Sequence, residues 1–122
     1  MAKILIVDDS DTLRMELRSF LEGQNYQVLE AENAGVCFEI INDNKDINLL
    51  ITDYNMPGMD GISMCKKIKE DPAFAKLPIF MLTTESTTDL KSAGKDAGVL
   101  AWIVKPFSHK NLGKGLAKVL GS

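Results

Sequence analysis

Three aspartates in this chain stand where apolar runs stop, and their type and placement suit shared chemistry. Asp8 and Asp9 follow Lys3-Ile4-Leu5-Ile6-Val7, and Asp53 follows Leu49-Leu50-Ile51-Thr52. Thr83 follows Pro78-Ile79-Phe80-Met81-Leu82, and Lys105 follows Leu100-Ala101-Trp102-Ile103-Val104. Three carboxylates brought close repel one another, which raises the proton affinity of at least one. A hard divalent cation with oxygen ligands relieves that conflict, and Mg2+ is the usual choice where a phosphate also enters. A hydroxyl and an ammonium beside such a cluster suit the oxygens of a phosphoryl group. Each residue also has an ordinary explanation. Asp53 alone ends a strand or caps a turn, and Asp8-Asp9 alone open a solvated helix start.

The elements that must gather them can be traced along the chain. Leu49-Leu50-Ile51 shows no polar alternation, as expected of a strand buried on both faces of a parallel sheet. Pro57-Gly58 and Asp60-Gly61 then mark turns. After the first strand, Ser10 or Asp11 caps a helix whose inward stripe is Leu13, Leu17, Phe20 and Leu21, ended by Gly23. Tyr26–Ala31 predicts a second strand, and Asn33 caps a helix to about Asn42 with Cys37, Phe38 and Ile41 on one face. Ile62, Cys65 and Ile68 mark a third helix, with Lys66, Lys67 and Lys69 outside and Asp71-Pro72 as its stop. A fourth helix around Thr88–Ala97 has Leu90 as its one large apolar residue, and Gly94 weakens it. A fifth, from about Ser108 to Leu120, turns Leu112, Leu116, Val119 and Leu120 inward.

Five strands alternating with five helices predict an α/β fold, a doubly wound parallel sheet with right-handed crossovers. The common order for five strands is 2-1-3-4-5, the flavodoxin-like arrangement, whose reversal lies between strands 1 and 3. Asp8, Asp9, Asp53, Thr83 and Lys105 then share the C-terminal rim of the sheet. The three aspartates sit at the reversal, where open α/β sheets bind ligands.

Composition narrows the classes. A chain of 122 residues with 45% hydrophobic and 25% charged residues is expected to form one domain, 1–122, with an ordinary soluble core. No apolar run reaches the roughly 18 residues of a membrane span, and the strand-like start leaves no room for a signal peptide. Cys37 and Cys65 are far apart in helix-like segments, which predicts buried free thiols and a cytoplasmic protein. Residues 1–61 hold 12 Asp and Glu against 4 Lys and Arg, whereas residues 62–122 hold 5 against 10. No basic run is interleaved with aromatics, so nucleic-acid binding is not expected. His109, the sole histidine, is expected on the surface, away from the rim.

The sequence resembles, from end to end, the receiver domain of bacterial response regulators, and most of all the single-domain, CheY-like chemotaxis branch. The residues that carry the likeness are Asp8-Asp9-Ser10, Asp53-Tyr54-Asn55-Met56-Pro57-Gly58-Met59-Asp60-Gly61, Thr83-Thr84-Glu85 and Lys105-Pro106-Phe107. The resemblance implies that Asp53 accepts a phosphoryl group from a histidine kinase as an aspartyl phosphate. Asp9 and Asp53 would ligate Mg2+ with the backbone carbonyl of Asn55, and Asp8 would act through a water. Thr83 and Lys105 would hold phosphoryl oxygens, Asn55 and Glu85 would tune dephosphorylation, and the Lys105-Pro106 bond would be cis.

Thr83 and Trp102 would form the switch. The family usually carries Tyr or Phe at the position of Trp102, so a half-buried packing role for that indole stays open. The signal would leave through the helix 4–strand 5–helix 5 face, where Lys91, Lys95, Lys110, Lys114 and Lys118 could meet an acidic target segment. The resemblance implies a monomeric signalling protein rather than an enzyme. Control of a flagellar motor switch, a phosphate sink and a phosphorelay intermediate all remain open. A Mg2+-dependent phosphotransferase or phosphatase of the dehalogenase type uses similar residues, but places a D-x-D on strand 1, where this chain has adjacent Asp8-Asp9. A flavodoxin-like cofactor carrier would need a Gly/Ser/Thr-rich phosphate loop after strand 1, which is missing.

Overall fold

The computed structural model describes residues 1–121. Its elements alternate as β1 (Lys3–Val7), α1 (Asp11–Gly23), β2 (Gln27–Ala31), α2 (Ala34–Asp43), β3 (Leu49–Thr52) and α3 (Gly61–Glu70). A 3-10 turn (Pro72–Phe74) follows, then β4 (Ile79–Thr83), α4 (Thr88–Asp96), β5 (Ala101–Val104) and α5 (His109–Leu120). All neighbouring strands pair in parallel, in the order β2-β1-β3-β4-β5. The predicted doubly wound sheet and its reversal between β1 and β3 are both present.

Side chains alternate across the sheet and build two cores. Leu5, Val7, Leu50, Ile79 and Met81 face α2, α3 and α4, together with Cys37, Ile41, Ile62, Cys65 and Ile68. Ile4, Ile6, Leu49, Ile51, Phe80 and Leu82 face α1 and α5 through Leu17, Leu21, Leu112 and Leu116. Burying each such Leu or Ile contributes about 1.5–3 kcal/mol, which is why β1, β3 and β4 have no polar alternation.

Helix starts are set by side-chain caps. Ser10, Asn33, Asp60, Thr87 and Ser108 each accept a backbone N–H from the residue three positions on. Each such cap is worth about 1 kcal/mol. Asp71 closes α3 and then caps the 3-10 turn through the Ala73 amide.

Two expectations are corrected. The sequence run for strand 5 begins at Leu100, but β5 starts at Ala101, on the sheet edge that the 2-1-3-4-5 order assigns to it. Leu100 is 61% exposed and Val104 42%, because no strand pairs beyond β5. Lys69 does not project outward with Lys66 and Lys67. Its ammonium donates to the carbonyls of Ala75 (3.2 Å) and Leu77 (2.5 Å), and burial holds it below the usual lysine range. Its stem lies against Gly98, where a Cβ would stand 2.8 Å from Lys69 Cε.

Candidate functional site

The rim is built where strands end. Val7 and Thr52 are paired in register as the last residues of β1 and β3, so Asp8 and Asp53 emerge side by side. The Asp53 amide donates to the Val7 carbonyl at 2.9 Å, and the Asp8 amide donates to the Ala31 carbonyl at 3.1 Å. Both carboxylates are buried, whereas Asp9 is exposed. One oxygen each from Asp8, Asp9 and Asp53 falls within 4.8 Å of the others.

Lys105 comes off the end of β5, and its ammonium bridges the two buried aspartates. Lys105 Nζ lies 2.8 Å from Asp8 Oδ2 and 2.9 Å from Asp53 Oδ2. The remaining oxygens take backbone amides: Ser10 N–H donates to Asp8 Oδ1 (2.8 Å), and Tyr54 and Asn55 N–H donate to Asp53 Oδ1 (2.6 and 3.3 Å). Burial holds the Asp8 carboxyl above the usual aspartate range despite its bonds to Lys105 and the Ser10 amide. Burial also acts to lower Lys105, but its bonds to Asp8 and Asp53 outweigh that and leave it raised.

The site therefore holds one ammonium for three carboxylates, and its donors are all hard oxygens. That set fits a divalent cation of the Mg2+ type. The acidic pocket itself, Asp8, Asp9 and Asp53, is a feature of the structure.

The other expected site residues form a second group on the next strands. Thr83 ends β4 fully buried, and its hydroxyl accepts the Glu85 amide at 3.4 Å. The Glu85 carbonyl accepts the Trp102 indole N–H at 2.7 Å. Trp102 is half-buried, with its ring against α4: a Cβ on Gly94 would stand 2.8 Å from Trp102 Cζ3. Gly94 thus makes room for the indole. Asn55 is exposed and joins the first group through its amide. The Lys105-Pro106 bond is cis. His109 lies away from the rim, its ring stacked on Phe20 at 4.7 Å and Nε2 at 3.9 Å from Glu16.

Gly61 carries a role beyond the turn that sequence alone suggested. A Cβ there would stand 2.1 Å from the Asp53 carbonyl oxygen. Its own amide donates to the Tyr54 carbonyl at 2.9 Å. Asp60 caps α3, so Gly61 lets the first turn of α3 press onto the backbone of Asp53. The one sequence signal was a glycine directly after a cap residue, a position where glycine has no helical advantage.

Comparison with known proteins matches residues 4–117 to the family described as the response regulator receiver domain. The chain belongs to the response regulator receiver family. This receiver is 41% identical over 121 residues to chemotaxis protein CheY1 of Helicobacter pylori, covering 98% of both chains. It is 38% identical to the chemotaxis protein CheY homolog of Campylobacter jejuni, over 98% of this chain and 93% of that one. Its fold matches the solved structure of the Vibrio cholerae chemotaxis protein CheY4 with a TM-score of 0.92, at 34% identity over 98% of each chain. The receiver is thus similar to chemotaxis regulators along its whole length. No helix among the described residues is long and apolar enough to cross a membrane.

Proposed function

We propose that this receiver is a phosphorylation-activated switch in two-component signalling, with Asp53 as the phosphoacceptor and a histidine kinase as the donor. The supporting observation is the Lys105 ammonium shared between Asp8 and Asp53, beside Asp9 at the sheet reversal. An Asp53 oxygen attacks phosphorus, and the phosphorus–nitrogen bond of the phosphohistidine breaks. Its electron pair leaves on the imidazole nitrogen, which then takes a proton. Such transfer through a loose transition state needs alignment and charge neutralisation more than covalent help.

The Tyr54 and Asn55 amides fix one Asp53 oxygen, so the carboxylate is aimed by the backbone. Lys105 supplies a compact positive charge to a phosphoryl oxygen, and Thr83 supplies a hydroxyl to another. Asp9, Asp53 and the Asn55 backbone carbonyl would hold Mg2+, with Asp8 acting through a water, and the ion would neutralise charge on the transferring group. Asn55 and Glu85 flank the pocket and govern the access of water that ends the signal. The chain consumes a phosphoryl group and passes on a conformation, so we class it as a signalling protein rather than an enzyme.

The output leaves by α4, β5 and α5. Thr83 bonds to the Glu85 amide, and the Glu85 carbonyl holds the Trp102 indole, so a shift of Thr83 reaches Trp102 through two hydrogen bonds. Lys91, Lys95, Leu100 and Trp102 line one groove on that face. Cations around an apolar floor suit an acidic amphipathic segment of a target protein. The chemotaxis relatives favour a target in that process, such as a flagellar motor switch. Cys37 and Cys65 are free and buried, which supports a reducing cytoplasmic setting.

A small acyl phosphate with Mg2+ tests the reading directly. The expected outcome is one phosphoryl group per chain, on Asp53, with a change in Trp102 fluorescence. Incorporation that persists in Asp53→Asn removes Asp53 as the acceptor. Labelling with a silent Trp102 keeps the acceptor and removes the switch.

A further inference from the structure

We infer that Arg14 is a positioning residue for the acidic rim: its guanidinium holds the loop between β1 and α1 in the shape that turns Asp8 and Asp9 toward Asp53. The inference rests on the cation site proposed above. Arg14 lies in the first turn of α1, and its side chain is only 13% exposed. Nη1 donates to the Asp8 carbonyl oxygen at 2.5 Å, Nη2 donates to the Asp11 carboxylate, and Nε donates to Glu30 Oε1 at 3.2 Å. One fork thus ties together the start of the loop, the start of α1 and the penultimate residue of β2.

The carbonyl it holds has a particular place. The Val7 carbonyl, one residue earlier, takes the Asp53 amide in the last rung between β1 and β3. The Asp8 carbonyl is the next acceptor, past the end of β1, and Arg14 satisfies it. That peptide unit shares its Cα with the Asp8 carboxylate and leads directly into Asp9. Rotating it would swing both carboxylates away from their present approach. Arg14 is itself held from behind, because Glu30 also takes Arg18 Nη1 at 2.5 Å. Glu30 pairs with Ile6 in the register of β1 and β2, so the anchor belongs to the sheet.

Charge alone gives the opposite expectation to positioning, which makes the inference decidable. A permanent guanidinium near the pocket repels a divalent cation. If Arg14 acted by charge alone, removing it would tighten Mg2+ binding. If it acts by holding the loop, removing it weakens Mg2+ binding even though a repelling charge has gone. Lysine keeps the charge but lacks the planar fork, so it cannot bond Asp8, Asp11 and Glu30 together.

The test is calorimetric titration of Mg2+ into the unphosphorylated protein and its Arg14→Ala, Arg14→Lys and Glu30→Gln variants, with melting temperatures recorded beside it. Outer partners of metal ligands typically change metal affinity by about 10-fold to 100-fold. We expect a loss of that size in Arg14→Ala, little rescue in Arg14→Lys, and a smaller loss in Glu30→Gln that adds nothing to Arg14→Ala. Equal or tighter binding by Arg14→Ala overturns the inference, as does full affinity in Arg14→Lys. If Arg14→Ala does not fold, Arg14→Lys decides alone, since a weaker affinity at an unchanged melting temperature is not a stability effect. A parent chain that takes up no Mg2+ overturns the cation site and this inference together. A parent that binds Mg2+ beside an Arg14→Ala variant that binds it equally well overturns this inference only.

Discussion

All five residues of β4 are buried, whereas β5, its hydrogen-bonded neighbour, has none buried and Val104 exposed. The helices repeat the contrast. Helix α3 buries Ile62, Met64, Cys65 and Ile68, while the only buried residue of α4 is Gly94. The Asp53 side of the receiver is thus fixed by close-packed apolar contacts and by the buried carboxylates of Asp8 and Asp53, whose oxygens all have partners. The α4–β5 side is held by an indole, one tight glycine contact and a few half-buried side chains. Regions with few buried apolar contacts open at lower free energy. The proposed phosphoacceptor site stands on the first kind of packing, and the proposed output surface on the second.

The thiols offer the widest separation between the two regions. Burial pushes Cys37 and Cys65 up to about 12, from an ordinary value of 9.0. The folded values lie above the unfolded ones, so the stability this represents is complete below about pH 9 and is lost as pH rises toward 12. The steepest loss is roughly 2–3 kcal/mol per pH unit for two thiols. At pH 8 a thiol reagent should label neither cysteine in the folded chain and both in denaturant. Labelling of the folded chain would show that the α2–α3 side opens as readily as α4–β5.

Core truncation should come next in size. Leu50→Ala removes a fully buried side chain at the centre of β3 and should cost about 2–5 kcal/mol in urea unfolding. Leu100→Ala, at the exposed edge, should stay within about 0.5 kcal/mol. Similar costs at both positions would erase the contrast.

The most local effect belongs to Gly94→Ala. Alanine gains about 1 kcal/mol of helix propensity, but its Cβ meets Trp102 Cζ3 at 2.8 Å, and overpacking costs about 1–3 kcal/mol. The near-cancellation should leave stability within about 2 kcal/mol, while Trp102 emission shifts as the indole is displaced. Labelling of Asp53 should proceed to the same stoichiometry. Unchanged emission would mean that the indole does not depend on the space Gly94 leaves.

The sequence carried the fold because hydrophobic periodicity is local. Unbroken runs at β1, β3 and β4 and capped helices between them leave few topologies once crossovers must be right-handed. It carried the candidate site for the same reason, since Asp8, Asp9, Asp53, Thr83 and Lys105 each sit at the end of such a run. The run Leu100-Ala101-Trp102-Ile103-Val104 is as apolar as a central strand, so its edge place followed from the expected strand order and not from its own composition.

The amino-acid sequence by itself thus determined which residues reach the rim and which family the chain resembles. Tertiary structure alone decided who touches whom there. Lys105 bridges Asp8 and Asp53 across 97 and 52 residues of chain, and Gly61 presses its helix onto Asp53. Trp102 hangs from the Glu85 carbonyl beside Gly94, and Arg14 takes the carbonyl of Asp8. Periodicity records which way a side chain faces, but not which distant atom will lie within 3 Å of it once the sheet has closed.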